Sequence, residues 1–530
     1  MKLNVINGNS VRRWFVLLCW LVCIGVALPA LTAAKASTSK NPPQAIGIAN
    51  FPRIGLETLA INQLLDEDAA SGAGFARISM EWVNIEPDLM DPSEFSWEYY
   101  DWLYAQLAAR GLTPLVRVQK CPPWACNDPN GPILDHSYNA FGQFMSAVAA
   151  RYSQPPYNVH FYEFWNEPDG AGGANNQFGW GTHPDKYVQM LSKAYASVKA
   201  ADPQSVVIMG GMAYDFWFQD GGPFNPDFLA GVLDNGGAQY LDAIAFHYYT
   251  NNIHGWANIG MKTDAVRAVM NAHGANLPIV STEGGLTSAS EYGGSEAIQA
   301  RYVVQMIVQG SASGLSGITW FIDRDLANPV PGLEIHAKSG LLRIDNSIKP
   351  AYTAMQTFSA KIGSGDYLYR MGAADGVAGT LEGYRFRSKN GNKQVSVVWN
   401  TSGSDVTMTI PATQAGDLGA ATSLLGSNLL ISPGPDGTRL ITVGLDPVYL
   451  EWNSLFSDVP NGSTFYPYVM CLVGNGVLTG YSDGTFRPSN NITRGQIAKV
   501  VSNAAGFTEP ISTQTFEDVP PGSTFYDFIG

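Results

Sequence analysis

Two glutamates in this chain stand where a carboxylate can do chemistry. Glu167 lies in Phe161-Tyr-Glu-Phe-Trp-Asn-Glu-Pro-Asp169, an aromatic strand-like run that stops at a proline. Proline fixes φ and lacks an N–H, so it ends a ladder and leaves Glu167 at the rim of a sheet. Glu283 ends a second apolar run, Leu277-Pro-Ile-Val-Ser-Thr-Glu283, and is followed by two glycines. One carboxyl that holds a proton and one that stays ionised are the pair glycoside hydrolysis needs. Glu167 is the expected general acid/base and Glu283 the expected nucleophile. A separation of about 5–5.5 Å would make the reaction retaining, through a covalent intermediate. The plainer alternative is two surface glutamates at strand ends.

Several neighbours bear on this pair. Arg77 is a cation inside an apolar strand, Ala76-Arg-Ile-Ser79. A buried Arg needs a carboxylate, and Glu283 is the expected partner; a purely structural ion pair is the alternative. His247 and Tyr249 close another strand and can hydrogen-bond the nucleophile or a sugar hydroxyl. Trp320 ends the last strand, where its face can stack on a pyranose or simply pack in the core. Trp82, Trp124, Trp180 and Trp256 are weaker loop candidates for the same stacking. Glu163 shares parity with Glu167 along its strand and reads as a group of the barrel interior. Glu86, before Pro87, reads as a loop-positioning group. No metal-ligand spacing, phosphate-cradling Gly-rich loop or nucleophilic Ser motif is present, so no cofactor and no metal are inferred.

These residues must be held by a scaffold. From Gln44 to about Ile344, short, nearly continuous apolar strands alternate with helical patterns. The expected strands are 45–50, 75–80, 113–119, 159–165, 206–210, 243–248, 278–282 and 317–321. Strands of this kind are buried on both faces, as in parallel sheets. Eight such units over about 300 residues fit a (β/α)8 barrel. An open doubly wound sheet is the alternative, but polar and aromatic residues follow nearly every strand rather than one switch point.

The fold class is thus α/β: a TIM barrel over 44–363, then an antiparallel β-sandwich over 364–453. The tail carries a repeat. Phe456-Ser-Asp-Val-Pro-Asn-Gly-Ser-Thr-Phe-Tyr466 recurs as Phe516-Glu-Asp-Val-Pro-Pro-Gly-Ser-Thr-Phe-Tyr526. One repeat unit spans 454–510, and 511–530 starts a second, incomplete one.

Residues 1–36 read as a signal peptide. Lys2, Arg12 and Arg13 precede an apolar stretch from Trp14 to Leu31, and Ala34-Lys-Ala36 fits a cleavage site. An uncleaved membrane anchor is the alternative. Residues 37–43 form a short linker. Cys121 and Cys126 are close enough to bridge in an oxidising compartment or to remain two buried thiols. The 530 residues carry a net charge of −14, which argues against a nucleic-acid partner.

The motif set resembles the clan of retaining (β/α)8 glycoside hydrolases over about 44–363. There the acid/base follows Asn at the end of strand four and the nucleophile ends strand seven. By that resemblance Asn166 binds the sugar's 2-hydroxyl, and Arg77, His247, Tyr249 and Trp320 occupy clan positions. Trp165-Asn-Glu-Pro-Asp169 and Ile85-Glu-Pro87 look closest to the β-xylosidase/α-L-iduronidase family, with the cellulase–mannanase family nearly as close.

The tail resembles S-layer homology modules, which are mostly helical and bind secondary cell-wall polymers. Phe456-Ser-Asp-Val459, Gly480-Tyr-Ser-Asp-Gly-Thr-Phe-Arg-Pro488 and Ile492-Thr-Arg-Gly495 carry that likeness. It implies a contact from Arg494 to an acidic group of the polymer. Such modules usually act in threes. The expectation is a secreted or cell-surface glycosidase acting on a polysaccharide or oligosaccharide. The alternatives are a catalytically silent glycan-binding adhesion protein and a structural envelope protein.

Overall fold

The computed structural model describes residues 46–50, 58–89, 91–171, 179–250, 256–328, 334–389 and 393–452, and most of 456–529 in pieces. The expected signal peptide and linker lie outside the described residues.

Eight parallel strands form the first sheet: β1 Ile46–Asn50, β2 Phe75–Glu81, β3 Thr113–Gln119, β4 Phe161–Asn166, β5 Val206–Gly211, β6 Ile244–Tyr249, β7 Ile279–Gly285 and β8 Leu315–Trp320. Their order is β5-β4-β3-β2-β1-β8-β7-β6. Parallel bridges Ile208 to Ala243 and Met212 to Phe246 join the two ends, so the sheet closes into a barrel. β5 and β7 are buried along their whole length; β5 is accordingly an apolar run, while β7 turns polar at Ser281, Thr282 and Glu283, where it feeds the site.

Eight principal helices follow the strands: α1 Thr58–Ala70, α2 Glu98–Ala109, α3 Tyr138–Tyr152, α4 Pro184–Ala201, α5 Phe228–Asp234, α6 Ile259–Ala272, α7 Glu296–Ala312 and α8 Pro350–Lys361. Pro184 and Pro350 start α4 and α8, where a missing N–H costs nothing. Asn258 and Ser295 cap α6 and α7 by accepting from the N–H of Met261 and Ile298. The short α5 had no legible period in the sequence. β7 runs three residues past its expected end, so Glu283 is a strand residue with its backbone in the ladder.

After the barrel come β9 Tyr367–Arg370, β10 Leu381–Arg387, β11 Gln394–Asn400, β12 Val406–Ile410, β13 Leu418–Thr422, β14 Ser432–Pro433, β15 Arg439–Val443 and β16 Val448–Trp452. They build a five-stranded sheet, β13-β16-β11-β10-β9, and a three-stranded sheet, β12-β15-β14. Barrel and sheets form one compact unit. Ion pairs Arg301–Asp446 (2.8 Å) and Lys361–Glu451 tie α7 and α8 to these strands.

The tail is a second unit. It contains α9 Tyr466–Gly474 and α10 Arg494–Ala505. Thr493 and Gln496 cap α10 reciprocally, which fixes its start three residues before the first apolar position, Ile497. Leu472, Val477 and Val500 form one small core, and Phe456, Val459, Tyr466 and Val469 another. The second occurrence of the motif packs on the first. A Cβ at Gly495 would lie 2.4 Å from the Phe525 ring, so only glycine admits that ring against α10.

Candidate active site

The chemistry-bearing side chains come from strands β2, β3, β4, β6 and β7 and meet at their carboxyl ends. Arg77 on β2 is the hub. Its Nε and Nη2 donate to both oxygens of Glu163 at 2.6 and 2.9 Å, and its Nη1 donates to Glu283 Oε2 at 2.9 Å. The expected Arg77–Glu283 pair exists, but the bidentate partner is Glu163, from the strand that also carries Glu167. Glu163 is fully buried and also accepts from Gly211 N–H and the Thr282 hydroxyl. Burial would raise its pKa; the Arg77 charge and hydrogen bonds outweigh that and keep it lowered. A buried carboxylate saturated in this way is a fixed anion that orients Arg77.

Asn166 Oδ1 accepts from Arg77 Nη2 at 3.1 Å and Arg117 Nη1 at 2.8 Å. A guanidinium has no acceptor, so the network assigns this atom as oxygen and leaves the amide NH2 facing elsewhere. Arg117 escaped the sequence reading, although Leu115-Val-Arg-Val118 carries the same signal as Arg77, a cation in an apolar strand. Burial and the nearby Arg77 push its pKa down to about 10, so it stays charged near neutrality.

Glu283 is held from two sides. Arg77 binds Oε2, and the Tyr249 hydroxyl donates to Oε1. Burial alone would raise the Glu283 pKa. His247, Arg77 and the Tyr249 hydroxyl outweigh it and take the pKa down to about 2.

Glu167 is less enclosed, with a side chain 17% exposed against 10% for Glu283. Its Oε1 lies 3.0 Å from His247 Nδ1. The other ring nitrogen of His247 faces Arg77 Nη2 at 3.3 Å. Arg77 can only donate, and Nδ1 is the ring nitrogen placed to donate to Glu167.

Ligand-type atoms of Glu167, His247 and Glu283 lie within 4.8 Å of one another. A divalent ion among them would have to share Glu283 with Arg77 and Tyr249, beside a guanidinium. The set is built to place protons and charge.

The backbone bends to aim these groups. Trp165 (φ 76°) and Glu167 (φ 47°) both sit in the left-handed region, which non-glycine residues enter at a cost of about 1–3 kcal/mol each. Behind them, a Cβ at Gly211 would lie 2.3 Å from His247 Nε2 and 2.4 Å from Thr282 Oγ1. Gly211 is therefore the gap through which the Glu163–His247–Thr282 layer closes.

Asp169, fully buried, accepts from the N–H groups of Ala213 and Tyr214, and burial pushes its pKa up to about 7. It ties the Glu167 turn to the loop after β5. Lys262, from α6, reaches in to donate to Ala213 O, Asp215 Oδ1 and His247 O at 2.7, 2.7 and 2.5 Å.

Trp320 does not serve as the expected platform. It is fully buried, its Nε1 donates to Ser339 O at 3.0 Å, and its ring lies against Tyr302 of α7. A tryptophan at that parity of β8 points out of the barrel, into the helix layer. The next residue, Phe321, packs edge-on to Tyr249, with ring centroids 6.1 Å apart. Trp82 and Trp180 are also fully buried, while Trp256 is half-buried and stacked on Tyr214. Trp124 packs edge-on to Trp82. Glu86 is buried and accepts from Trp82 Nε1 at 2.7 Å, a loop-holding contact. Cys121 and Cys126 are bridged, with Cα atoms 6.1 Å apart, closing the loop after β3.

The family model for cellulase (glycosyl hydrolase family 5) matches residues 38–324. That is more than half of the chain, and the chain belongs to this family. An S-layer homology domain model matches residues 455–498. No curated protein sequence matches the chain.

Solved structures share the fold at low identity. A family 39 glycoside hydrolase from Bacteroides cellulosilyticus WH2 aligns with a TM-score of 0.59 and 19% identity, over 78% of this chain and 81% of that one. The catalytic domain of GH30 xylanase C from Talaromyces cellulolyticus gives 0.55 and 16%, over 79% and 98%. A monomeric β-xylosidase from Caulobacter crescentus CB15 gives 0.54 and 16%, over 78% and 96%. The matching sequence family is thus the cellulase one, which the Trp165–Asp169 motif had placed second to the β-xylosidase type.

Proposed function

We propose that the protein is a retaining glycosidase of the cell surface, cleaving O-glycosidic bonds of a polysaccharide or oligosaccharide by double displacement. One observation carries the reading: oxygens of Glu167 and Glu283 approach within 4.8 Å above a shared Arg77–His247 network. Inverting enzymes keep their carboxyls about 6.5–9.5 Å apart to admit a water between them.

Glu283, held ionised, attacks the anomeric carbon while Glu167 protonates the departing oxygen. Glu167 then takes a proton from the water that releases the sugar. Its contact with the Nδ1–H of His247 and its partial exposure suit a group that must exchange protons twice. The free amide NH2 of Asn166 donates to the sugar's 2-hydroxyl. Arg77 and Tyr249 hold the nucleophile in place. The S-layer homology region attaches the enzyme to a secondary cell-wall polymer through Arg494, and the sequence 1–36 directs export.

Glu167→Ala tests the acid role. General acid catalysis contributes about 10²–10⁴-fold. The variant should lose about that much kcat/KM on alkyl or sugar leaving groups and less than about tenfold on 2,4-dinitrophenyl glycosides, which leave without a proton. Equal losses on both would remove Glu167 from the acid role.

A further inference from the structure

His336 lies at the mouth of the site on the 3-10 turn Glu334–Lys338 after β8. No role was assigned to it from the sequence. Its ring centroid is 4.5 Å from that of Tyr249 and 5.7 Å from that of Phe321. Tyr249 itself donates to Glu283, so the imidazole is one side chain removed from the nucleophile. Among the described residues its two ring nitrogens have no hydrogen-bond partner; its contacts are these two rings and the charge of nearby acids. Several polar groups near Glu283 are already engaged: Arg77 with two carboxylates, Arg117 with Asn166, Tyr249 with Glu283 and His247 with Glu167. A half-buried imidazole packed against two aromatic rings that also touch each other, with both nitrogens unused, is shaped to receive a ligand.

We propose that His336 is a substrate-binding residue that selects the glycone by hydrogen-bonding one of its hydroxyls on the side away from C2. This rests on reading the site as a glycosidase. Strand β8 lies across the barrel from β4, whose Asn166 offers its NH2 toward the 2-hydroxyl. A sugar seated with its anomeric carbon between Glu167 and Glu283 therefore turns its 3- and 4-positions to His336. A hydroxyl both donates and accepts, and so does a neutral imidazole. Burial lowers the His336 pKa, against the pull of Glu283, Glu167 and Asp215, so the ring that meets the sugar is the neutral form. A site built to pair a hydroxyl discriminates strongly against a sugar that lacks it, because the protein partner is left unpaired.

The experiment uses full-length protein, 2,4-dinitrophenyl β-xyloside and β-glucoside, and their 3-deoxy and 4-deoxy derivatives. His336→Phe keeps a ring against Tyr249 and Phe321 but removes both nitrogens; His336→Gln restores a donor and an acceptor. In the parent enzyme one deoxy position should lower kcat/KM by about tenfold or more. In His336→Phe that penalty should fall to within about twofold of unity, and His336→Gln should recover part of it. Unequal deoxy penalties that persist undiminished in His336→Phe would overturn the assignment, as would an active parent with no penalty at either position. A parent inactive on both glycosides, with no adduct from the matching 2-fluoro glycosides, would instead strike at the glycosidase reading, and the His336 assignment would fall with it.

Discussion

At the scale of residues, the site separates two glutamates by their surroundings. Glu283 is clamped by a guanidinium and a phenol, and Glu167 by a single imidazole contact. Tyr249→Phe removes one clamp and no volume. A hydrogen bond to a charged group is worth about 1.5–3 kcal/mol, or roughly one to two pH units. As the proposed nucleophile Glu283 would attack only when ionised, and its low pKa keeps it so far into acid. Loss of the phenol raises that pKa, so the acidic limb of the kcat/KM–pH profile should move up by about one unit or more. An unmoved limb would show that Tyr249 does not tune the nucleophile. The depressed pKa also makes a statement about stability. The contribution of Glu283 is full above its unfolded value near 4.5 and is lost as pH falls toward about 2.

At the scale of elements, most of the scaffold was legible. Each strand is a short apolar run bounded by turn residues, and a parallel barrel needs such runs. The boundaries of α3 and α4 follow from the helical period, and Pro184 marks the start of α4. What escaped had a physical reason. The short α5 offers too few turns for a period. Trp320 was misplaced because strand parity decides which face a side chain takes, and the exit of β8 hides that parity. The role of Gly211 exists only between strands, in the closeness of two neighbours; Arg117 carried the same in-strand signal as Arg77, and only its reach from β3 to Asn166 was hidden. The same holds for Lys262, a helix residue whose ammonium ends on a strand carbonyl. Lys262 pins α6 to the ends of β5 and β6 through three acceptors, and burial lowers its pKa. Lys262→Met leaves Asp215 and two carbonyls without that donor. Breaking a buried pair costs about 3–5 kcal/mol. Denaturant unfolding should show a loss of that order, and a loss under about 1 kcal/mol would mean that water replaces the ammonium there.

At the scale of the whole molecule, the barrel with its β-sheets and the S-layer homology tail are two compact units. Arg494, the expected polymer contact, pairs with Asp518 of the second motif at 2.9 and 3.0 Å and lies over the Phe516 ring. Both partners are more than half exposed, and solvent screens an exposed pair of this kind so that it adds little stability. An acidic polymer can therefore displace Asp518 at little cost. A chain ending at Trp452 should keep kcat/KM on soluble glycosides within about twofold and lose sedimentation with polymer-bearing cell walls. The full chain carrying Arg494→Ala should lose sedimentation too. Full sedimentation of that variant would remove Arg494 from the contact.

If Glu283 is the nucleophile, it becomes covalently glycosylated during turnover. Intact mass and peptide mapping after exposure to 2-fluoro glycosides of xylose, glucose and mannose, as mono- and disaccharides, test it directly. The account predicts a stable adduct of one glycosyl unit on the peptide carrying Glu283, with loss of activity in step. An adduct on another carboxylate, or an active enzyme that forms none and releases a product of inverted configuration, would contradict it.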